Sequence, residues 1–153
     1  MYGVPRVKEK ASPFTSSNKE TAMSGKKSRI LVIDDEPDLA STLAIIFKSH
    51  NYITATAFSG EEAIDVAGRF QPDCIVTDVV MGGMSGIESA IVILSSLPKC
   101  KVLFISGNVD LRDLLGRNQL MNARAEGIEF ELLQKPVPPP ELLRRVSLLL
   151  SRP

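Results

Sequence analysis

Residues 72–86 read PDCIVTDVVMGGMSG. Cys74-Ile75-Val76-Thr77 is a near-continuous apolar run, the pattern of a central parallel strand covered on both faces. It ends on a carboxylate, Asp78. Two residues of strand exit follow, then Met81-Gly82-Gly83-Met84. Ser85-Gly86-Ile87-Glu88 comes next and has the form of a capping box at a helix start. Open α/β sheets place their ligands at the carboxyl ends of parallel strands, which makes Asp78 the leading candidate for chemistry. The alternative is a turn-forming aspartate.

On either side the same unit recurs. Upstream, Arg29-Ile30-Leu31-Val32-Ile33 predicts a first strand that ends in Asp34-Asp35-Glu36. Pro37 opens a helix, a position proline favours, with Leu39, Leu43, Ile46 and Phe47 on one face, and Asn51 breaks it. Strand two is expected at Tyr52–Thr56. A second capping box, Ser59-Gly60-Glu61-Glu62, opens a helix with Ala63, Ile64, Val66 and Ala67 as its apolar content. Downstream of the opening stretch, helix three runs from Ser85 to Leu97 with Ile87, Ala90, Ile91 and Leu94 inward, and Pro98 ends it. Strand four is Lys101–Ile105, closing on Ser106-Gly107. A polar helix is expected over Val109–Glu126, divided near Gly116 and capped by Gly127. Strand five is read at Ile128–Leu133, closing on Gln134-Lys135-Pro136. Pro138–Pro140 lead into a last helix with the stripe Leu142, Leu143, Val146, Leu149 and Leu150, which leaves Leu148 over for a partner or dimer face.

Five βα units in alternation predict an α/β fold: a five-stranded parallel sheet, doubly wound, with right-handed crossovers and helices on both faces. The usual strand order for such a chain is the flavodoxin-like 2-1-3-4-5. Strands one and three are then neighbours, and Asp34, Asp35 and Asp78 share one rim.

Composition narrows the function classes. The chain has 153 residues, 44% of them hydrophobic and 24% charged, with formal net charge zero. These are values of an ordinary globular domain with no field directed at nucleic acid or membrane. Residues 1–27 carry six Lys/Arg against two Glu; their Lys, Ser, Thr and Pro content and lack of period predict a disordered basic arm. Order is expected to begin at Ser28, with 28–153 as the folded domain and no output domain in the three residues after the last helix. Cys74 and Cys100 fit no metal spacing and read as buried small hydrophobes in a reducing compartment. His50 reads as a helix-terminal surface residue. No run is long enough to span a membrane and no apolar signal core is present, so a cytoplasmic location is expected.

Four strand ends thus carry polar groups: Asp34-Asp35, Asp78, Ser106 and Lys135. Two carboxylates ~4 Å apart repel by roughly 4 kcal/mol at an effective dielectric near 20, so three of them call for a cation. Oxygen-only ligands select a hard ion, Mg²⁺ or a similar one, which meets substrate phosphate while keeping some water. A carboxylate is also a competent nucleophile toward phosphorus. Metal, ammonium and hydroxyl together would hold the equatorial oxygens in phosphoryl transfer.

With these motifs the chain resembles the receiver domain of two-component response regulators over Arg29–Leu150. The shared features are Ile33-Asp34-Asp35-Glu36-Pro37, Asp78 followed by Met81, Met84 and Gly86, Ser106 ending strand four, and Lys135-Pro136 ending strand five. The resemblance implies that Asp78 accepts a phosphoryl group from a phosphohistidine on a sensor histidine kinase or phosphotransfer protein. It also implies that Asp35, Asp78 and the Val80 carbonyl bind Mg²⁺, with Asp34 acting through water, and that Ser106 and Lys135 hold the phosphoryl group. Such a module is not an enzyme beyond catalysing its own phosphorylation and dephosphorylation. It acts by phosphorelay: by switching the binding of a downstream protein, by passing the phosphoryl group on, or by forming a homodimer through the helix four–strand five–helix five face.

The chain departs from the family in three places. Gly82 stands where proline usually follows the methionine, which predicts a more mobile loop. Leu132 occupies the place where an aromatic switch residue is common, so a rotamer switch coupled to Ser106 is in question, and Phe130 is not an obvious substitute. The Ser106-to-Lys135 span is longer than the family's.

The rival readings are three. A Mg²⁺-dependent phosphohydrolase would want an acid two residues after the nucleophile, where Val80 stands. A flavin-binding flavodoxin would want a phosphate cradle after strand one, where Asp34-Asp35-Glu36 repels phosphate. A degenerate receiver would act as a phosphorylation-independent scaffold.

Overall fold

The apolar runs form the expected sheet. A computed structural model describes residues 26–107 and 114–153. Strands β1 (Arg29–Ile33), β2 (Ile53–Ala57), β3 (Cys74–Asp78), β4 (Lys101–Ser106) and β5 (Glu131–Gln134) alternate with helices α1 (Pro37–Ser49), α2 (Gly60–Phe70), α3 (Gly86–Ser96), α4 (Leu114–Ala125) and α5 (Pro139–Ser151). The strands pair in the order β2-β1-β3-β4-β5, every neighbouring pair parallel.

Alternation along each strand splits the core into two layers. Ile30, Val32, Cys74, Val76, Leu103, Ile105 and Leu133 face α1 and α5, where Ala40, Phe47, Leu142, Val146 and Leu149 close over them. Leu31, Ile33, Ile75, Val102 and Phe104 face the opposite layer, with Ala63, Ala67, Ile87, Ala90, Ile93 and Ala123 of α2, α3 and α4. All five residues of β3 are buried. Fully burying a branched aliphatic side chain is worth about 1.5–3 kcal/mol, so the central strands β1, β3 and β4 anchor the rim above them.

Helix ends follow local chemistry. Pro37 opens α1. At α3 the capping box is complete: Ser85 Oγ accepts from the Glu88 N–H, and Glu88 accepts from the Ser85 N–H. At α2 only half of it forms. Ser59 Oγ accepts from the Glu62 N–H, but the Glu62 carboxylate reaches one residue further back, to the Phe58 N–H at 2.7 Å. Asn51 and Gln71 take positive φ where α1 and α2 stop.

Several expectations shift. Strand five begins at Glu131, three residues later than Ile128, and includes Gln134. The reason is Phe130, whose ring is packed edge-on against Phe104 with centroids 5.2 Å apart and lies under the Arg124 guanidinium. Helix α4 passes through Gly116 without division between Leu114 and Ala125, and Gly127 follows its end at φ +88°. The start expected for this helix at Val109 lies outside the described residues, as does the basic arm up to residue 25. In α3, Ile93 is buried though the stripe read from sequence omitted it. Leu148, left over from the α5 stripe, is exposed, at 46%. Both cysteine thiols are free and buried; burial pushes Cys74 well up and Cys100 up to about 12, which keeps both protonated and unreactive. Among the described residues no helix is long and apolar enough to cross a membrane.

Candidate functional site

Parallel register carries the strand-end residues to one rim. Ile33 pairs with Thr77, so Asp34 leaves β1 beside the point where Asp78 ends β3. Asp78 pairs with Ile105, and Ser106 with Gln134, which sets Ser106 and Lys135 one step further along the same edge. The Lys135 N–H donates to the Ser106 carbonyl at 2.8 Å, fixing the chain as it leaves β5.

Three carboxylates meet there. One oxygen each from Asp34, Asp35 and Asp78 lies within 4.8 Å of the others. Asp34 and Asp78 are buried, at 3% and 8% exposure, while Asp35 is open to solvent. Lys135 Nζ sits 3.1 Å from Asp78 Oδ2 and 4.0 Å from Asp34 Oδ2. One ammonium thus meets two of the three acids. An all-oxygen donor set with residual negative charge is what a hard divalent cation takes, and it fits Mg²⁺ better than any softer metal.

The electrostatics follow from burial. Desolvation pushes the Asp34 carboxyl above its ordinary value, against the Glu36 N–H that it accepts at 2.9 Å and the Lys135 charge, both of which pull it down. Burial also lowers Lys135, but the hydrogen bond and charge of Asp78, with Asp34 and Glu36, outweigh it and the net movement is upward. The lysine is therefore a firmly charged clamp on Asp78.

Ser106 is fully buried, and its Oγ is the side-chain atom among the described residues that is buried without a hydrogen-bond partner. A buried hydroxyl left unpaired costs about 1–3 kcal/mol, a cost that an acceptor arriving at the rim would relieve.

The loop after Asp78 is held by a close approach. Gly86, first residue of α3, packs directly on the end of β3: a Cβ there would overlap the Asp78 carbonyl oxygen and come within 2.8 Å of Thr77 Oγ1. Its N–H donates to the Val79 carbonyl at 2.9 Å. Gly83 takes φ +82°, a conformation that glycine adopts without steric cost. Gly86 stood in the motif, but its role as a contact surface was not visible in the sequence; a glycine at the first position of a helix was the available signal.

Two further expected site residues are Val80 and Leu132. Val80, expected to offer its carbonyl, is 54% exposed. Leu132, opposite Phe104 in register, is half-buried and packs on the α2–α3–α4 layer. The aromatic ring of this edge belongs to Phe130, which is 6% exposed and fixed between Phe104 and Arg124.

Comparison with known proteins agrees with this arrangement. Residues 30–147 match the family model described as response regulator receiver domain. The DNA-binding response regulator MtrA of Mycolicibacterium smegmatis is 29% identical over 133 residues, 85% of this chain and 54% of that protein. The probable transcriptional regulatory protein TcrX of Mycobacterium tuberculosis is 30% identical over 128 residues, 84% of this chain and 52% of its own. The chain spans about half the length of these curated relatives. In structure, a CheY-like receiver domain protein from Methanospirillum hungatei superposes with a TM-score of 0.71 at 21% identity, covering 82% of this chain and 94% of that one. A receiver domain protein from Clostridium thermocellum gives 0.71 at 27% identity, covering 82% and 95%. A family match across most of the chain, on a sheet of the same strand order and with acids at the rim, makes this chain a member of the response regulator receiver domain family of two-component signalling.

Proposed function

We propose that Asp78 is the phosphoacceptor of a phosphorylation-controlled switch within residues 28–153, loaded from a phosphohistidine on a sensor histidine kinase or phosphotransfer protein. The observation that carries this reading is the rim itself: three carboxylate oxygens within 4.8 Å, with Lys135 bonded to Asp78. An Asp78 carboxylate oxygen forms the new O–P bond as the P–N bond of the donor breaks, and the leaving imidazole keeps the electron pair. Lys135, already 3.1 Å from Asp78 Oδ2, follows the negative charge onto the phosphoryl oxygens. The unpaired Ser106 hydroxyl donates to one of them. Mg²⁺, bound by Asp35, Asp78 and the Val80 carbonyl with Asp34 through water, would neutralise charge on the transferring group. Val80 offers no proton-transfer group two residues after Asp78, which favours a persistent acyl phosphate over hydrolytic turnover. Output follows from contacts made only in the phosphorylated state, through a downstream protein or a second copy at the α4–β5–α5 face, in a cytoplasmic setting.

The test is intact-protein mass after incubation with acetyl phosphate and Mg²⁺. Wild type gains one phosphoryl group and Asp78→Asn gains none. A folded wild type that gains nothing sinks the proposal and leaves the scaffold reading.

A further inference from the structure

The acids at the rim are not held alike. Asp34 accepts from the Glu36 N–H and faces Lys135, and Asp78 is bonded to Lys135. Asp35 is exposed, and its carboxylate is met from across the rim: the Gly82 N–H donates to Asp35 Oδ2 at 3.3 Å, joining the loop after β1 to the loop after β3 across 47 residues of sequence. This contact needs a backbone proton. A proline at position 82 has none. Position 82 does not need glycine for its shape, since its φ lies outside the left-handed region and nothing stands within 4 Å of the place a Cβ would take.

We infer that the Gly82 backbone N–H is a positioning donor that aims the Asp35 carboxylate at the cation site, a donor that any residue but proline would keep at this position. The inference rests on the Mg²⁺ reading above. A carboxylate has room for several partners, two oxygens with about four lone-pair directions, so Asp35 can accept from Gly82 and still present electrons to a metal. The bond also steadies the segment that carries the Val80 carbonyl, two residues before Gly82. Donors behind a metal ligand restrict its rotamer and commonly change affinity by about 10- to 100-fold. An exposed bond of 3.3 Å belongs at the lower end of that range.

Mg²⁺ titration by calorimetry on the full chain tests it, comparing wild type, Gly82→Ala and Gly82→Pro. The alanine variant keeps the N–H and adds a methyl into open space, so its Kd matches wild type; the proline variant binds about tenfold more weakly. Equal Kd values for all three, or equal weakening in both variants, overturn the inference. No Mg²⁺ binding by wild type overturns the metal reading and this inference with it; binding by wild type with an unaffected proline variant overturns the inference alone. Because proline could disturb the loop, a second measurement uses the ion-free protein with glycine in place. The Gly82 amide proton resonance moves upfield and its exchange quickens in Asp35→Ala, while the Gly83 amide changes less. A Gly82 amide indifferent to Asp35→Ala overturns the inference irrespective of the titration.

Discussion

The two ends of the sheet are built from similar residues and do opposite things. At the amino ends of the strands Asp73 and Arg29 answer each other locally. Asp73 Oδ2 accepts from the Arg29 N–H at 2.8 Å, and the Asp73 N–H and carbonyl bond to Arg29 and Lys101 across the neighbouring strands. The Arg29 guanidinium donates to the Phe70 carbonyl and lies 4.3 Å from the Phe70 ring centroid. A cleft of about 890 Å³ opens at this end, but its lining mixes Lys26, Lys99 and Arg152 with Asp73, Glu126 and Glu129, so no single sign of charge is concentrated there. At the carboxyl ends three acids cluster, the two buried ones meet Lys135, and the buried Ser106 hydroxyl has no hydrogen-bond partner. The same fold places a hydrogen-bonded edge opposite an edge where carboxylates cluster around one ammonium. Residues that are costly to the free protein are the ones to expect in its chemistry.

The contrast can be broken most severely at Gly86. Gly86→Ala drives a methyl into the Asp78 carbonyl, and overpacking of this kind costs about 1–3 kcal/mol; the top of that range is expected because the obstacle is backbone. Denaturant unfolding reads the loss, and the phosphoryl yield falls with it because the Asp78 loop must move. Next in size is ligand rescue of the functional edge. If the proposed site binds Mg²⁺, the ion at about 100 times its Kd is expected to stabilise wild type by about 2.7 kcal/mol. Asp35→Asn loses that increment, while a change at the opposite edge, Asp73→Asn, keeps it. An equal Mg²⁺ response in both variants would erase the distinction between the ends.

Asp73→Asn keeps an oxygen for the Arg29 N–H but takes the charge out of that bond, and is expected to destabilise by at most about 1 kcal/mol, with or without Mg²⁺. The smallest effect has the opposite sign. Burial raises the Asp34 carboxyl, so the folded state holds its proton to higher pH than the unfolded chain does. Stability is therefore lost as pH rises from the ordinary carboxylate range through the raised native value. Asp34→Asn keeps an oxygen for the Glu36 N–H and removes that loss. In the absence of Mg²⁺ it is more stable than wild type at neutral pH and equal to it once Asp34 is protonated. Thermal melts at several pH values check the sign; a variant less stable at neutral pH would mean that attraction to Lys135 outweighs burial.

Much of this was legible in the chain because parallel sheets write themselves as apolar runs. The β1 bounds were read as Arg29–Ile33, and the polar residue closing each run, Asp34, Asp78, Ser106 or Lys135, was identified from position alone. The misreading of β5 came from Phe130. Its hydrophobicity continues the strand pattern from Ile128, but its ring is claimed by Phe104 and Arg124, and the ladder starts only at Glu131. The break expected at Gly116 came from a local propensity of about 1 kcal/mol against helix, yet the helix runs unbroken from Leu114 to Ala125.

By itself, the sequence determined the alternation of strands and helices, the two apolar faces of the sheet, and the inventory of three acids, a hydroxyl and an ammonium at the strand ends. Those follow from periodicity and residue chemistry, which are local. Only the tertiary structure decided that Asp34 is buried while Asp35 is open, that Lys135 is committed to Asp78, that Gly86 is a contact surface for the Asp78 backbone, and that Gly82 reaches Asp35. The physical reason is range: these depend on separations of a few ångströms between groups far apart in the chain, and desolvation and steric overlap act over that distance alone.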